Sequence, residues 1–424
     1  MNIRQYDIPQ TLPVNAHDRF LYPMKAIIHV VVSFDQHLDT GILQRAVRLS
    51  LDVEPVLGCR FVEKDPQPHW QRFEALDEVQ WLACTSPDNQ DEAIESFITD
   101  SFFHEGQQVN IGLFQTEGGD TLAVKISHTC SDAGGLIDYL KLLAGIYTRL
   151  LENPDYYPLP HTSGSRDQQH YFAALGINDP LAQFDPQASA TPPNWSFPYH
   201  SREINQIHQV RRLLQNEALD RIISFAKKHN VTVTAVLLTA MFRSLFEMLE
   251  SPRGEEFAIR VSIDLRHRFS SNPDQAICTL SLDFNPCITC LDEESFGETL
   301  QRASGALEEL KQNNAELNTA IALEAWAKYD YSAFTQGFLQ RAADSVKSNP
   351  LLSNIGVINP LHFGHCQATD VYLLTVVEIP PKFMLGVTTY GRTMTLQCTF
   401  GEPGHRREDV ERFLDLMVRE LSSL

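Results

Sequence analysis

The chain has 424 residues, of which 43% are hydrophobic and 21% are charged, and its formal net charge at pH 7 is −20. This length allows two domains of about 200 residues, each with its own core, and the composition is that of a globular protein. The acidic balance argues against nucleic-acid binding, which needs a basic face to neutralise phosphates. The N-terminus lacks a basic-then-apolar signal pattern, and the most apolar predicted helix, at 233–242, is too short to cross a bilayer. We therefore expect a cytoplasmic protein without a membrane span.

The first half of the chain alternates between predicted strands and helices. Residues 26–34 form an apolar run rich in Val and Ile, which predicts a buried strand, and Asp39 is placed to cap the helix that follows. The next predicted elements are two strands, an amphipathic helix and two more strands, at 56–62, 70–73, 94–102, 109–115 and 121–127. This order indicates helices packed on a buried sheet.

The strand predicted at 121–127 leads straight into the segment His128–Asp132, and a helical pattern follows it. His128 therefore leaves the end of a strand, and Asp132 lies in the turn that opens a helix. Gly134 and Gly135 permit backbone angles or close approaches that a Cβ would forbid. A histidine in this place suits a general base, because an unperturbed imidazole has a pKa close to neutrality. The plainer alternative is a strand-end histidine beside an aspartate that only caps the helix.

A proline-rich stretch separates the two halves. Residues 157–200 contain seven prolines and several aromatic residues, which predicts a packed crossover between domains. We therefore divide the chain into an N-terminal domain at 1–160, a crossover at 161–200 and a C-terminal domain at 201–424. The elements predicted in the C-terminal domain are a strand at 207–213, helices from 216 and 232, a strand at 257–263, helices at 293–312 and 317–344, strands at 353–358, 371–378, 383–390 and 393–400, and a helix at 408–421.

The segment His128–Asp132 resembles the His-x-x-x-Asp active-site motif of the CoA-dependent acyltransferase superfamily. That superfamily includes chloramphenicol acetyltransferase, the condensation domains of nonribosomal peptide synthetases, and plant and mycobacterial O-acyltransferases. Four further stretches resemble it in the same order, at Leu38–Phe61, Asn230–Leu245, Val261–Phe269 and Leu352–Gly356. Three positions depart from condensation domains: Ser127 stands where a first His is frequent, Ala133 where Gly is usual, and Gly58 where Arg is frequent. These departures bear on the peptide-bond-forming branch more than on the superfamily.

This resemblance implies an α/β fold of α+β two-layer sandwiches, with two chloramphenicol acetyltransferase-like domains and an active-site tunnel between them. It implies acyl transfer from a thioester, either acyl-CoA or a carrier-borne phosphopantetheinyl thioester, with His128 as the general base. Asp132 is then structural and pairs with an arginine, for which Arg266 is the best candidate, and Gly134 belongs to the same structural set. The alternatives are a freestanding condensation-type enzyme fed by a carrier protein and a catalytically silent relative that binds a carrier protein.

The remaining site residues are less specific. Ser353 and Asn354 are candidates for binding the oxyanion or the substrate, although a Ser-Asn pair in a strand is also a common edge feature. Cys130 lies two residues from His128, but Cys-His catalysis works through contacts across the fold, so we expect a packing role. The acceptor is expected to be a small-molecule alcohol or amine, and no cofactor is expected to be bound permanently, since the thioester is a co-substrate.

Two groups of residues could suggest a metal, and neither is expected to hold one. Cys287 and Cys290 lie three apart in a predicted strand, where their side chains point to opposite faces. His362, His365 and Cys366 lack a fourth ligand. The eight cysteines have no regular spacing, which favours reduced thiols in the core.

The net charge of −20 is unfavourable for binding CoA or a carrier protein, both of which are anionic. Residues 202–268, however, hold eleven Lys or Arg against eight Asp or Glu. We therefore expect a locally positive entrance for the thioester donor in this stretch.

Overall fold

The computed structural model describes residues 8–63, 67–100, 106–161, 165–166, 168–184, 192–268, 276–328 and 331–424. Its strands, in chain order, are β1 Thr11–Pro13, β2 Ile27–Phe34, β3 Cys59–Val62, β4 His69–Arg72, β5 Leu82–Thr85, β6 Val109–Thr116, β7 Gly119–Ser127, β8 Ile204–Gln215, β9 Glu256–Ala258, β10 Arg260–Asp264, β11 Ser281–Phe284, β12 Cys287–Thr289, β13 Leu351–Ile358, β14 His362–Phe363, β15 Cys366–Leu374, β16 Met384–Tyr390 and β17 Thr393–Pro403. Its α-helices are α1 Ala16–Leu21, α2 Thr40–Val53, α3 Gln90–Thr99, α4 Ala133–Glu152, α5 Gln169–Ala174, α6 Glu217–Lys228, α7 Val233–Met248, α8 Phe296–Gln312, α9 Ala315–Trp326, α10 Tyr331–Asp344 and α11 Arg407–Ser422.

The chain forms two compact units, each assembled from separate segments. Unit 1 comprises Met1–Asn178, Arg266–Leu280 and Asn359–Tyr372, and unit 2 comprises Asp179–Leu265, Ser281–Ile358 and Leu373–Leu424. The predicted limits at residues 160 and 200 make each domain one continuous segment of the chain, whereas each observed unit combines three segments. Unit 1 also takes in two segments of the predicted C-terminal domain, because the chain returns to it twice.

Unit 1 contains a six-stranded mixed sheet with the order β14-β15-β2-β7-β6-β5. Strand β7 is antiparallel to both β2 and β6, with Ile27 of β2 opposite Ser127, and β5 runs parallel to β6. Helices α2 and α4 pack against each other, α4 also contacts β2 and β14, and α3 contacts β6 and β7. A separate three-stranded sheet has the order β1-β4-β3.

The sequence explains why β7 and α4, the two elements that flank the segment between them, are buried. Every residue of β7 is buried, as expected of a central strand in a covered sheet. Helix α4 is 20 residues long and buries a continuous apolar stripe that includes Leu136, Leu140 and Leu143. The five residues that join these elements are therefore anchored at both ends by buried secondary structure.

Unit 2 contains its own six-stranded mixed sheet, with the order β11-β10-β13-β16-β17-β8. Strand β13 is parallel to both β10 and β16, and the other neighbours are antiparallel. Helix α11 packs against β8, α6 and α7, and α7 also packs against α8. The apolar core of this unit includes Phe242 of α7, Leu396 of β17 and Phe413 of α11, all fully buried. A pair of short strands, β9 and β12, forms a small antiparallel ladder.

The predicted mixed α/β class is confirmed. The strand predicted at 371–378 begins earlier, as β15, and the elements predicted at 257–263 and 317–344 correspond to β9 with β10 and to α9 with α10. Asp39 caps α2 as predicted, since its carboxylate accepts a hydrogen bond from the Ile42 N–H at 2.8 Å. The strand predicted at 56–62 is shorter, because a 3₁₀ turn that begins at Pro55 precedes β3. Short elements such as β1, α1 and β5 were not predicted, since three to six residues carry too little periodicity.

The described residues include no single helix that is both long and apolar enough to cross a membrane. In the ranges that the structure describes, one bent pair of helices, α6 and α7 with 105° between them, has the length and composition of a span.

Candidate active site

His128 lies in the segment His128–Asp132 between β7 and α4, which we call the His128 loop. Its backbone N–H donates to the carbonyl of Ala26 at 2.9 Å, which extends the pairing of β7 with β2 by one residue. Its ring Nδ1 lies 2.9 Å from the carbonyl oxygen of Ser131. Because a carbonyl oxygen can only accept a hydrogen bond, Nδ1 carries the proton of the neutral ring and Nε2 carries the lone pair.

The contact with Ser131 leaves Nε2 as the ring nitrogen that can accept a proton. Its side chain is half-buried, and among the described residues Nε2 has no hydrogen-bond partner. A base needs its lone pair directed at the proton that it removes, with its other nitrogen held by an acceptor. The Ser131 carbonyl supplies that acceptor from within the same loop.

Asp132 is the buried N-cap residue of α4. Its Oδ1 accepts a hydrogen bond from the Gly135 N–H at 2.8 Å. Its Oδ2 accepts from Nη1 of Arg266 at 2.9 Å and from the Leu280 N–H at 2.7 Å. Burial alone raises the pKa of the Asp132 carboxyl, but the Arg266 charge and the hydrogen bonds outweigh it, so the pKa lies below its usual value. The ion pair expected between Asp132 and Arg266 is therefore present, and the carboxylate is engaged on both oxygens.

The close approach of neighbouring atoms in this turn is at Gly135, one of the two glycines that the sequence singles out, and the structural role of Gly134 stays a prediction. Both residues lie within α4, so their backbone is helical. A Cβ added to Gly135 would lie 2.5 Å from Oγ of Ser131 and 3.2 Å from the carbonyl oxygen of Cys278. Only glycine therefore allows the first turn of α4 to pack against the His128 loop without a shift.

A segment from the second half of the chain, Ala276–Leu280, belongs to unit 1 and contacts the His128 loop. The Thr279 hydroxyl donates to the carbonyl of His128 at 3.2 Å. The buried carboxylate of Glu54 accepts the Ile277 N–H at 3.1 Å. All five residues of the segment are buried. The sequence patterns did not indicate this segment, because its partners lie 151 and 223 positions away.

A second buried ion pair, between Asp18 and Arg166, lies beside the loop. Nη1 and Nη2 of Arg166 lie 2.8 and 3.0 Å from the two carboxylate oxygens of Asp18, and the Trp70 indole N–H donates to the same carboxylate at 2.8 Å. Arg166 also donates from Nη2 to the Cys130 carbonyl at 3.3 Å and from Nε to the Ile277 carbonyl at 3.1 Å. No local pattern signals a pair 148 positions apart, and the sequence reasoning missed both residues.

His17, on α1, is a second histidine close to the loop that the sequence reasoning missed. It is 3% exposed, and its Nε2 has no hydrogen-bond partner in the part of the chain that the structure describes. Burial lowers the pKa of His17 to about 4, against the opposing effect of the Asp132 charge and with smaller contributions from His128 and Arg266. His17 is therefore a neutral imidazole at pH 7.

Cys130 is a packing residue. It is fully buried, and its Sγ donates to the carbonyl of Ser127 at 3.3 Å. Burial raises the pKa of the Cys130 thiol, so the nucleophilic thiolate is disfavoured. All eight cysteines of the chain lie in described ranges and are free thiols, as predicted, and six of them are buried.

Ser353 and Asn354 lie on β13 of unit 2, and their side chains form hydrogen bonds with other residues of that unit. The hydroxyls of Ser353 and Ser262 are 3.0 Å apart. Nδ2 of Asn354 donates to the Thr234 hydroxyl at 3.0 Å, and Oδ1 of Asn354 accepts the Gly356 N–H at 3.1 Å. Their suggested part in binding an oxyanion or substrate stays a prediction.

The two cysteines considered as metal ligands, Cys287 and Cys290, lie in different environments. Cys287 is exposed and Cys290 is buried, which agrees with side chains on opposite faces of β12 and its extension. The Cys290 sulfur lies 3.0 Å from Nη1 of Arg253. In the described ranges, no three His, Cys, Asp or Glu side chains form a group that could hold a metal ion.

Many of the cations between residues 202 and 268 are neutralised by nearby carboxylates. The arginines in ion pairs, each followed by its partner, are Arg212 with Asp415, Arg243 with Glu420, Arg253 with Asp292, Arg260 with Asp283 and Arg266 with Asp132. Lys227 and Lys228 are exposed in the last turn of α6. The positively charged entrance for the donor stays a prediction. These two exposed lysines are the candidate residues for its positive charge.

Solved structures with the same fold cover almost the whole chain. The first condensation domain of the calcium-dependent antibiotic synthetase, in complex with a substrate analogue, has a TM-score of 0.73 at 15% identity and covers 97% of this chain and 96% of its own. The trichothecene 15-O-acetyltransferase of Fusarium sporotrichioides has a TM-score of 0.73 at 11% identity, with 98% and 95% covered. The epimerization domain of the third module of tyrocidine synthetase B has a TM-score of 0.69 at 11% identity, with 99% and 98% covered. At these identities the likeness shows the fold and not the reaction.

The family is shown by sequence. No curated protein sequence matches the chain. The sequence model described as the condensation domain matches residues 21–250, which is more than half of the chain and includes the His128 loop. The predicted resemblance to the CoA-dependent acyltransferase superfamily is thereby confirmed, and the chain belongs to the condensation-domain family.

Proposed function

We propose that the protein is an acyltransferase that moves an acyl group from a thioester to a hydroxyl or amine, with His128 as the general base. The observation that carries this proposal is the 2.9 Å contact between Nδ1 of His128 and the Ser131 carbonyl. It leaves the Nε2 lone pair as the group that can remove a proton. The family and the fold support this reaction class, since one neighbour is an O-acetyltransferase.

In the proposed reaction, Nε2 of His128 takes the proton from the acceptor O–H or N–H as the acceptor attacks the thioester carbonyl. The tetrahedral intermediate then collapses, the carbon–sulfur bond breaks, and the departing thiolate takes the proton from the His128 imidazolium. The products are an ester or amide and a free thiol. Both substrates bind together in this scheme, so no covalent acyl-enzyme is needed. The raised pKa of the Cys130 thiol agrees with a scheme in which that sulfur does not attack.

Asp132 has a structural role in this proposal. Its two oxygens receive the helix-cap hydrogen bond, the Arg266 guanidinium and the Leu280 N–H, and none of these contacts involves the His128 ring. Asp132 keeps the His128 loop in place and does not carry a proton during the reaction. Its lowered pKa keeps it charged, as pairing with the Arg266 cation requires.

The donor is a thioester of CoA or of a carrier protein's phosphopantetheine, and the acceptor is a small alcohol or amine. The two donors offer the same acyl–sulfur bond, so a single assay can compare them. Purified protein would be incubated with acyl-CoA thioesters of several chain lengths, with the matching acyl carrier proteins, and with a mixture of alcohols and amines. Thiol release would be followed by absorbance, and acylated acceptors by mass spectrometry.

Three proteins would be compared in that assay: wild type, His128→Gln and His362→Gln. His362 is an exposed histidine of unit 1, on β14, and serves as a matched control. We expect acceptor-dependent thiol release with wild type and His362→Gln, and a rate lower by about 10²-fold or more with His128→Gln. Binding of a carrier protein without any thiol release would contradict the proposal and indicate a silent carrier-binding relative.

A further inference from the structure

Two arginines bridge the same two parts of unit 1, the His128 loop and the segment Ala276–Leu280. Arg266 is the first. Its Nη1 donates to the Asp132 carboxylate at the end of the loop, and its Nη2 donates to the Cys278 carbonyl of the segment, both at 2.9 Å. This bridge contains the Asp-Arg pair that the sequence resemblance implied.

Arg166 makes a second bridge that runs beside the first. Its Nη2 donates to the Cys130 carbonyl in the loop at 3.3 Å, and its Nε donates to the carbonyl of Ile277 in the segment at 3.1 Å. The Asp18 carboxylate binds the same guanidinium through both of its oxygens, at 2.8 and 3.0 Å. The two arginines therefore bind the adjacent carbonyls of Ile277 and Cys278 in the segment, and they also bind two residues of the loop.

The bridged loop residues, Cys130 and Asp132, flank Ser131. The Ser131 carbonyl is the group that accepts the Nδ1–H of His128. A shift of the loop on either side of Ser131 would move this carbonyl and so release the ring. The base is thus fixed indirectly, by two cations that do not contact the imidazole in any hydrogen bond of the described residues.

The chemistry of a guanidinium suits this task. The Arg166 side chain makes four hydrogen bonds to three residues of the described structure. It is 11% exposed, and the side chain of Asp18 is fully buried. A planar group with five N–H donors can satisfy these acceptors at once. A lysine could balance the Asp18 charge but could not reach both the loop and the segment in fixed directions.

We propose that Arg166, held by Asp18, is a positioning residue for His128. It fixes the Cys130 end of the His128 loop and thereby the Ser131 carbonyl that selects the Nδ1–H form of the ring. The inference rests on the proposed role of His128 as general base, and it adds a second ion pair to the one implied by the family resemblance. It predicts that loss of the Arg166 bridge lowers kcat with little effect on substrate binding.

The test is the substitution Arg166→Lys, which keeps the buried positive charge opposite Asp18. We expect kcat to fall about 10- to 100-fold while the KM values of donor and acceptor stay within about twofold, as for a misplaced base. A second readout needs no substrate: ¹⁵N NMR of the histidine rings, with the His128 signals assigned from the spectrum of His128→Gln. Wild type should show the Nδ1–H form at high pH, and Arg166→Lys should show a mixture of the two tautomers.

Arg72→Lys is the matched control, because Arg72 is also a buried arginine of unit 1 and binds Asp52 and the Leu51 carbonyl instead of the loop. It should change thermal stability without changing kcat or the His128 tautomer. A kcat loss in Arg72→Lys equal to that in Arg166→Lys would contradict the inference, since the effect would then be one of general stability. Unchanged kcat and an unchanged tautomer in Arg166→Lys would also overturn it.

A double variant, Asp18→Asn with Arg166→Met, removes both charges together and so avoids leaving one of them buried alone. It keeps the inference testable if Arg166→Lys does not fold, and the same two readouts apply.

The tautomer readout also separates the two proposals. If wild type transfers no acyl group but the tautomer changes in the variants, the positioning role stands and the proposed function fails. If His128→Gln lacks activity but the Arg166 variants match wild type in both readouts, the proposed function stands and the positioning role fails.

Discussion

Nη1 of Arg266 lies 2.9 Å from Oδ2 of Asp132, although the two residues are 134 positions apart in the chain. The same carboxylate oxygen accepts the Leu280 N–H at 2.7 Å. Asp132 therefore connects Arg266 and Leu280, which are both distant in the sequence, to the first turn of α4. A short segment of the second half of the sequence is thus part of the His128 site.

The first prediction concerns this ion pair. Asp132→Asn leaves the Arg266 cation without its buried partner, and Arg266→Gln leaves the carboxylate without its cation. Breaking a buried pair from one side costs about 3–5 kcal/mol of the free energy of unfolding. The second substitution should cost much less once the first is present, so the two effects should be strongly non-additive. Urea unfolding of the two single variants and the double variant measures this, and additive losses would mean that the pair is not a structural unit.

The second prediction concerns Gly135. Gly135→Ala places a Cβ 2.5 Å from the Ser131 hydroxyl, so it should lower both the melting temperature and kcat. Gly145→Ala in the same helix is the control, because a Cβ there meets no heavy atom within 4 Å in the described structure. It should stabilise the protein by about 0.5–1 kcal/mol through helix propensity. Adding Ser131→Ala to Gly135→Ala removes the clashing oxygen and should restore part of the stability; a Gly135→Ala variant as stable and active as Gly145→Ala would contradict the packing described here.

The third prediction concerns His17 and acid stability. Its pKa is lowered from 6.5 to about 4 in the folded protein, so the unfolded chain binds more protons between these two values. The stability that depends on neutral His17 is therefore fully present above pH 6.5 and is lost as the pH falls towards 4. The loss amounts to about 3 kcal/mol.

His17→Gln should accordingly flatten the fall in unfolding free energy between pH 6.5 and pH 4. The substitution His362→Gln, at an exposed site, should leave the wild-type slope unchanged. Urea unfolding at several pH values measures both slopes. An identical slope in wild type and His17→Gln would show that His17 is not held neutral by burial.

The fourth prediction concerns Cys130. Because burial raises the pKa of its thiol, it should react slowly with iodoacetamide in the native protein, and Cys130→Ala should keep kcat within about twofold of wild type. Exposed Cys84 and Cys287 are the internal controls and should be alkylated first. A folded but inactive Cys130→Ala would instead indicate an acyl-cysteine intermediate, which intact-protein mass spectrometry would detect.

Much of this site could be predicted from the sequence, since its centre is local. The strand β7, the turn and α4 each have a periodic pattern, so the positions of His128 and Asp132 follow from the sequence. Arg266 was predicted as the partner because a buried carboxylate needs a cation and the Asp-Leu-Arg stretch resembles that of the superfamily.

The remaining contacts could not be predicted, for a physical reason. Arg166 pairs with Asp18 at a separation of 148 positions, and Thr279 donates to His128 at a separation of 151. His17 likewise interacts with Asp132 from a distant part of the sequence. Such contacts leave no trace in local periodicity. The sequence singles out Gly134 and Gly135 together, because spacing alone cannot show which neighbouring atoms an added Cβ would meet at either position.

The central claim is that His128 is the general base of an acyl transfer, and the most direct test is kcat of His128→Ala with saturating thioester and acceptor. His128 is half-buried, and its ring makes one hydrogen bond to the described part of the chain, at the Ser131 carbonyl, so the variant should unfold at nearly the wild-type temperature. We predict a kcat lower by about 10²- to 10⁴-fold, the usual contribution of a positioned base. A folded His128→Ala protein with a kcat close to that of wild type would contradict the claim.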